Sequence, residues 1–200
     1  MVKKILILTG DFAEDYEVMV PYQAFQICGF EVDVVCPNKK AGETIQTAIH
    51  DFKDQYQFFV ETLGHCFKLT KNFDEVKPED YDGLYLAGGR APEYLRYDKK
   101  ILEITDFFLK NNKPLCAVCH ALLILAAIPN GIKGKTVTGF YSVRAEIEAA
   151  GATYDAKNEA VTDGVLVTGQ SYLSHVEMIK QFVKVMNENW NLGKNFFWVF

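Results

Sequence analysis

No stretch of the 200 residues is apolar for anything near the ~20 residues that a bilayer span requires. The opening run Ile5-Leu-Ile-Leu8 stops after four residues at Thr9-Gly10-Asp11. A secretory signal needs an apolar region of roughly 7–15 residues, so the expected setting is cytoplasmic, without a membrane. Cationic excess is missing too. Lys and Arg number 21 against 26 Asp and Glu, a net charge of −5, which argues against a general polyanion or nucleic-acid binder. The five cysteines, at 28, 36, 66, 116 and 119, form an odd and scattered set that makes no disulfide framework and reads as free thiols. There is no G-x-G-x-x-G. Pro129-Asn-Gly-Ile-Lys-Gly134-Lys135-Thr136 approaches a phosphate loop, but it begins on proline and runs into a strand-like segment where a helix is needed. His65-Cys66 and Cys119-His120 lack the spaced ligand pairs of a zinc site. Neither a metal nor an organic cofactor is therefore expected. Repeats, low-complexity tracts and linkers are also missing.

A 49% hydrophobic composition excludes a disordered chain, and the length suits one domain with a full core. Short apolar runs alternate with helical patterns, the signature of a parallel sheet with crossover helices. Strands are expected at Lys4–Thr9, Glu31–Cys36, Gly83–Ala87 and Pro114–Val118. Val18, Pro21, Tyr22 and Phe25 hold helical spacing, with Gly29 as the stop. Because proline is tolerated only in a first turn, the helix is expected to begin near Pro21, leaving Glu17 just ahead of it. Gln57–Val60 and His65–Leu69 read as two short strands around Gly64, an insertion within 39–78. Ile101, Ile104 and Phe108 mark a surface helix, and residues 122–128, apolar on every side, a buried one. Val161–Val167 reads as a hairpin turning at Asp163-Gly164. Val176, Ile179, Val183, Met186 and Trp190 stripe a last helix. The aromatic tail at about 188–200 has two open readings, packing onto its own domain or contacting another subunit.

The chemistry concentrates at Leu115-Cys-Ala-Val-Cys119-His120-Ala121, a strand running straight into a helix. A nucleophile on such a turn sits in a strained conformation and needs small neighbours two before and two after, here Ala117 and Ala121. Cys119 is then the nucleophile, and a helix N-terminus should lower its pKa. The bland alternative is a buried small hydrophobe. Gly83-Leu-Tyr-Leu-Ala-Gly88-Gly89-Arg90-Ala-Pro92-Glu93 brings a glycine turn to the same sheet edge, where its N–H groups could help form an oxyanion hole. Gly10-Asp11-Phe-Ala-Glu14-Asp15-Tyr-Glu17 adds acids from a third edge loop. Open α/β sheets bind ligands at that edge. His50, His65 and His175 read as structural or surface residues, and Cys28, Cys36, Cys66 and Cys116 as inert.

These segments resemble the ThiJ/PfpI superfamily, relatives of the class I glutamine amidotransferases. Its marks are a Cys-His elbow, a P-G-G-R-A-P-E loop and an early glutamate. The resemblance runs from Ile5 to about Phe182. It is strongest toward plant-type glutathione-independent glyoxalase domains, through Glu14-Asp-Tyr-Glu-Val-Met-Val-Pro21, Lys40-Ala-Gly42, His50-Asp-Phe52 and Gly88-Gly-Arg-Ala-Pro-Glu-Tyr-Leu95. It implies an α/β fold, a flavodoxin-like three-layer sandwich with a mostly parallel sheet and a nucleophile elbow. It also implies Cys119 as nucleophile, Glu17 as the acid that moves protons against the thiol, and His120 as auxiliary acid/base. Gly89 and the His120 N–H would form the oxyanion hole, and Glu93 would be an acid offered to His120 of a neighbouring subunit. Ala121 departs from the usual glycine and would narrow the pocket floor. Ala87 replaces a frequent proline.

The resemblance further implies a homo-oligomer and, as substrates, small reactive aldehydes. Methylglyoxal or glyoxal would become the 2-hydroxy acid, with deglycase activity as close kin. Two alternatives stay open: a cysteine peptidase or amidase, and a redox-sensing or chaperone-like protein without aldehyde turnover.

Overall fold

The computed structural model describes residues 2–188. β1 (Lys4–Leu8), β2 (Glu31–Val35), β5 (Gly83–Leu86), β6 (Leu115–Val118), β9 (Ala160–Asp163) and β10 (Leu166–Gly169) make one sheet in the order β2-β1-β5-β6-β10-β9. All its pairings are parallel except β10–β9, and a separate short parallel pair, β7 (Thr136–Val137) with β8 (Thr153–Tyr154), is joined through α5 (Arg144–Ala149). Ile5–Leu8, Leu84–Leu86 and Cys116–Val118 are fully buried, as strands covered on both faces must be. α1 (Asp15–Ile27) and α6 (His175–Glu188) pack together on one face, where Tyr85 meets Phe25 of α1 at 5.7 Å. α3 (Lys99–Lys110) and α4 (Leu122–Ala126) pack together and α3 lies against β5, on the side to which Leu84 and Leu86 point. The result is a three-layer, mostly parallel α/β sandwich. The chain leaves β1 for β2 on one side and returns to β5 on the other, so the crevice at the carboxyl ends of β1, β5 and β6 is a topological switch point.

Four expectations need correction. α1 begins at Asp15, not near Pro21, so Pro21 is interior and Glu17 belongs to the first turn. Interior proline costs about 3 kcal/mol. The burial of Val18, Pro21 and Phe25, together with the Glu14 cap on the Glu17 N–H at 2.9 Å, outweighs it. The insertion is one antiparallel hairpin, β3 (Thr44–Asp51) with β4 (Val60–Lys68), and Gly64 lies inside β4. The polar-interrupted Thr44–Asp51 gave no strand signal, and Gly64 marks a register shift where its partner strand skips from Gln46 to Ala48. The second hairpin turns on Gly164 and Val165, one residue later than expected, with Gly164 at φ +64°. α6 buries Met178, Phe182, Val183, Val185 and Met186, whereas Val176 is exposed. Trp190 and the aromatic tail from residue 189 onward lie outside the described residues.

The β3–β4 hairpin is tied to the loop after β1. Phe12 N–H donates to the Gln46 carbonyl at 2.7 Å and Ala48 N–H to the Ala13 carbonyl at 2.8 Å. That tether brings the segment joining β3 to β4, residues 52–59, to the switch-point edge. No helix of the described residues is long and apolar enough to cross a membrane.

Candidate active site

Val118 ends β6 in extended backbone, and Cys119 then takes φ +58°, the left-handed region, before the short helical turn Cys119–Ala121 that opens into α4. For a residue with a Cβ this costs about 1–3 kcal/mol and persists only where the surroundings enforce it. Ala117 and Ala121 are fully buried, as the elbow demands.

Gly88 and Gly89 follow β5 and pass directly over the elbow. A Cβ on Gly88 would lie 2.3 Å from Glu17 Oε2 and 2.7 Å from Cys119 Cβ. Gly89 has φ +69°, and a Cβ there would meet the Glu14 amide nitrogen at 2.1 Å. Both glycines are needed for β1, β5 and β6 to bring their loops this close. The backbone N–H groups of Gly89 and His120 lie against the Cys119 sulfur and favour its charged form. Those are the two donors expected of an oxyanion hole.

Glu17 is completely buried, with both carboxyl oxygens sealed and without a full hydrogen bond among the described residues. Burial pushes its pKa well up and the Glu14 charge adds to this, opposed by the Gly88 and Tyr172 backbone and the Cys119 thiol beside it. Burial likewise raises Glu14 to about 7, against the hydrogen bonds that its carboxyl receives from the backbone.

The expected low-pKa thiol is not found. Burial pushes Cys119 well up, and Glu17 reinforces the shift. The short helical turn and the five-residue α4 offer little dipole, and the residue is only 7% exposed.

His120 Nδ1 lies 3.2 Å from Cys119 Sγ, and its Nε2 lies 3.2 Å from Ser142 Oγ. The imidazole stacks on Phe140 at 5.0 Å. Burial, then the neighbouring His50, lowers its pKa to about 4, so the ring is neutral near pH 7. Glu93, expected to reach the histidine of a neighbouring subunit, does not meet the His120 of its own chain. It stands exposed on α2 (Ala91–Leu95), 4.0 Å from Arg90. His65 is exposed and pairs with Asp15 at 3.1 Å, whereas buried His50 meets Glu61 at 3.0 Å. His175 is buried and lowered to about 4. Cys36 and Cys116 are buried, while Cys28 and Cys66 are exposed free thiols.

Sequence reasoning missed Ser142 and Phe140, which reach the site because the Phe140 N–H donates to the Cys119 carbonyl at 3.3 Å. Nothing local to Gly139-Phe-Tyr-Ser142 signals that contact. Glu14 was legible only as one acid among several, although its three-residue spacing from Glu17 is that of a helix cap and its third residue. Among the described residues no group of three or more His, Cys, Asp or Glu side chains is placed to hold a metal ion.

The profile of the DJ-1/PfpI family matches residues 3–185. Protein DJ-1 homolog D of Arabidopsis thaliana is 43% identical over 187 residues, 92% of this chain and 48% of the relative. The chain thus spans about half the length of that plant protein. Deglycase PfpI of Pyrococcus furiosus is 31% identical over 92% of this chain and 99% of its own. The crystal structure of Drosophila melanogaster DJ-1beta superposes with a TM-score of 0.73 at 19% identity, covering 94% of this chain and 90% of that one. The shared fold is the flavodoxin-like sandwich.

Proposed function

The chain belongs to the DJ-1/PfpI family, and on that premise we propose that residues 1–200 act as one catalytic domain, a glutathione-independent glyoxalase. The observation that carries the reading is the Glu17–Cys119 contact: a sealed carboxyl group against a buried thiol, with two backbone N–H groups on the same sulfur. Both acids are pushed up, so the thiolate forms as its proton passes to Glu17 rather than standing ready in solvent.

Cys119 sulfur adds to the aldehyde carbon of methylglyoxal, and the Gly89 and His120 N–H groups hold the oxyanion until Glu17 returns the proton to it. Glu17, again ionised, takes the hydrogen from the first carbon and delivers it to the second through an enediol. A lactoyl thioester on Cys119 remains. Water then adds to the thioester carbon, neutral His120 carries the water proton to the departing sulfur, and lactate leaves. The sum is methylglyoxal plus water to lactate and a proton. The Pyrococcus relative's name, deglycase, favours early glycation adducts of amines as further substrates of the same thiol.

Peptidase chemistry fits less well. Ser142, not a carboxylate, meets His120 Nε2, and Glu93 pairs with Arg90. A partner subunit offering its own Glu93 would restore that reading. The test is lactate formation from methylglyoxal without glutathione, set against the Cys119→Ala protein. Turnover in the wild type alone supports the proposal, whereas equal rates overturn it and make peptide hydrolysis and peroxide oxidation of Cys119 the next assays.

A further inference from the structure

The ring stacked on the catalytic histidine is the inner end of a continuous aromatic wall. Phe140 is 5% exposed and lies parallel to His120. Phe59, half-buried, stands edge-on to both, its centroid 6.3 Å from His120 and 5.9 Å from Phe140. Outside them, Phe58 packs at 4.2 Å on Phe59 and 5.7 Å from Phe140, and Phe52 lies 5.9 Å from Phe140. Phe52 and Phe58 are 48% and 42% exposed, so the wall runs from solvent to the imidazole that touches the sulfur. Three of these four phenylalanines come from the 52–59 segment, which no strand or helix requires to be aromatic.

Gly88 and Glu17 pack against Cys119 so closely that a methyl group added at Gly88 would collide with both the carboxyl group and the cysteine. That leaves His120, in contact with Sγ, and the rings of Phe140 and Phe59 beyond it as the surface offered to a substituent on a carbonyl carbon bound to the sulfur. A methyl group meets little of that surface. A planar ring meets ring edges and faces in the offset and edge-on arrangements that aromatic pairs favour.

We propose that Phe59, with Phe140 behind it and Phe58 and Phe52 outside, selects 2-oxoaldehydes bearing an aryl group over methylglyoxal. This rests on the thiol chemistry proposed above and names its substrate class.

The probes are phenylglyoxal, the size-matched cyclohexylglyoxal and methylglyoxal, applied to the wild type and to Phe59→Leu, which keeps apolar bulk and loses the ring. Two readouts are taken: kcat/KM for 2-hydroxy acid formation, and protection of Cys119 from iodoacetamide followed by mass on the Cys119 peptide. The second needs no turnover. The expected result is phenylglyoxal ahead of both others by about tenfold, the scale of one or two aromatic pairs. Phe59→Leu should remove most of that lead. Equal performance of phenylglyoxal and cyclohexylglyoxal, or a lead that survives Phe59→Leu, overturns the proposal. Aryl-selective protection without turnover would overturn the glyoxalase reading and sustain this one.

Discussion

Glu14 Oε2 accepts the backbone N–H of Glu17 at 2.9 Å, so the residue that caps α1 also sets a second buried carboxyl group beside the proposed catalytic acid. Glu14 raises the pKa of Glu17, whereas Glu14 itself is raised by burial and by the Asp15 charge. Ionised Glu14 opposes ionisation of both Glu17 and the Cys119 thiol. Glu14→Gln keeps a capping oxygen and removes the charge. The basic form of Glu17 should then appear at lower pH, moving the acidic limb of the kcat/KM profile downward from its wild-type position. A profile that does not move would show that Glu14 is a cap only.

The same burial has a signed effect on stability. Glu17 has a folded pKa well above its unfolded value, so its neutral form favours folding at low pH and that contribution is lost as pH rises through the folded pKa. Glu17→Gln cannot ionise. Its Tm should match that of the wild type near pH 5 and exceed it near pH 8. Thermal melts at the two pH values decide this, and a pH-independent difference would contradict it.

His120 should titrate near 4, far below an ordinary imidazole, and stay neutral throughout the working range. An NMR titration that found it protonating near 6.5 would contradict its burial. Its outer nitrogen leans on the exposed Ser142 hydroxyl, so Ser142→Ala should lower kcat by up to about tenfold, the worth of one hydrogen bond, with little change in KM or Tm.

Gly88→Ala places a methyl group into the contact between Glu17 and Cys119. Relief requires either the loop or the acid to move. Turnover should fall by at least about a hundredfold, with about 1–3 kcal/mol of stability lost to overpacking. An active Gly88→Ala protein would mean that the acid works from another position.

The elbow was legible because its geometry imposes local rules: an apolar strand, small residues at 117 and 121, and a cysteine between them. The glycine loop was legible for the same reason. The start of α1 was misread because the penalty of Pro21 is local while the burial that outweighs it is tertiary. Thr44–Asp51 carries no strand signal because polar residues interrupt it, and only its pairing with β4 makes it a strand. The thiol's pKa was read from a helix terminus alone, whereas burial and Glu17, both properties of the assembled site, decide it. Ser142 reaches His120 from 22 residues away by a loop contact without a sequence signature.

In the proposed reaction Cys119 and Glu17 act as a pair, the thiol forming the bond and the acid moving the proton. That pairing is tested most directly by measuring lactate formation and Cys119 alkylation on the same Glu17→Gln preparation. The expected result is a thiol that iodoacetamide still alkylates while lactate formation falls by at least about a hundredfold, the usual share of a positioned acid–base group. Lactate formation within twofold of the wild type would contradict the claim.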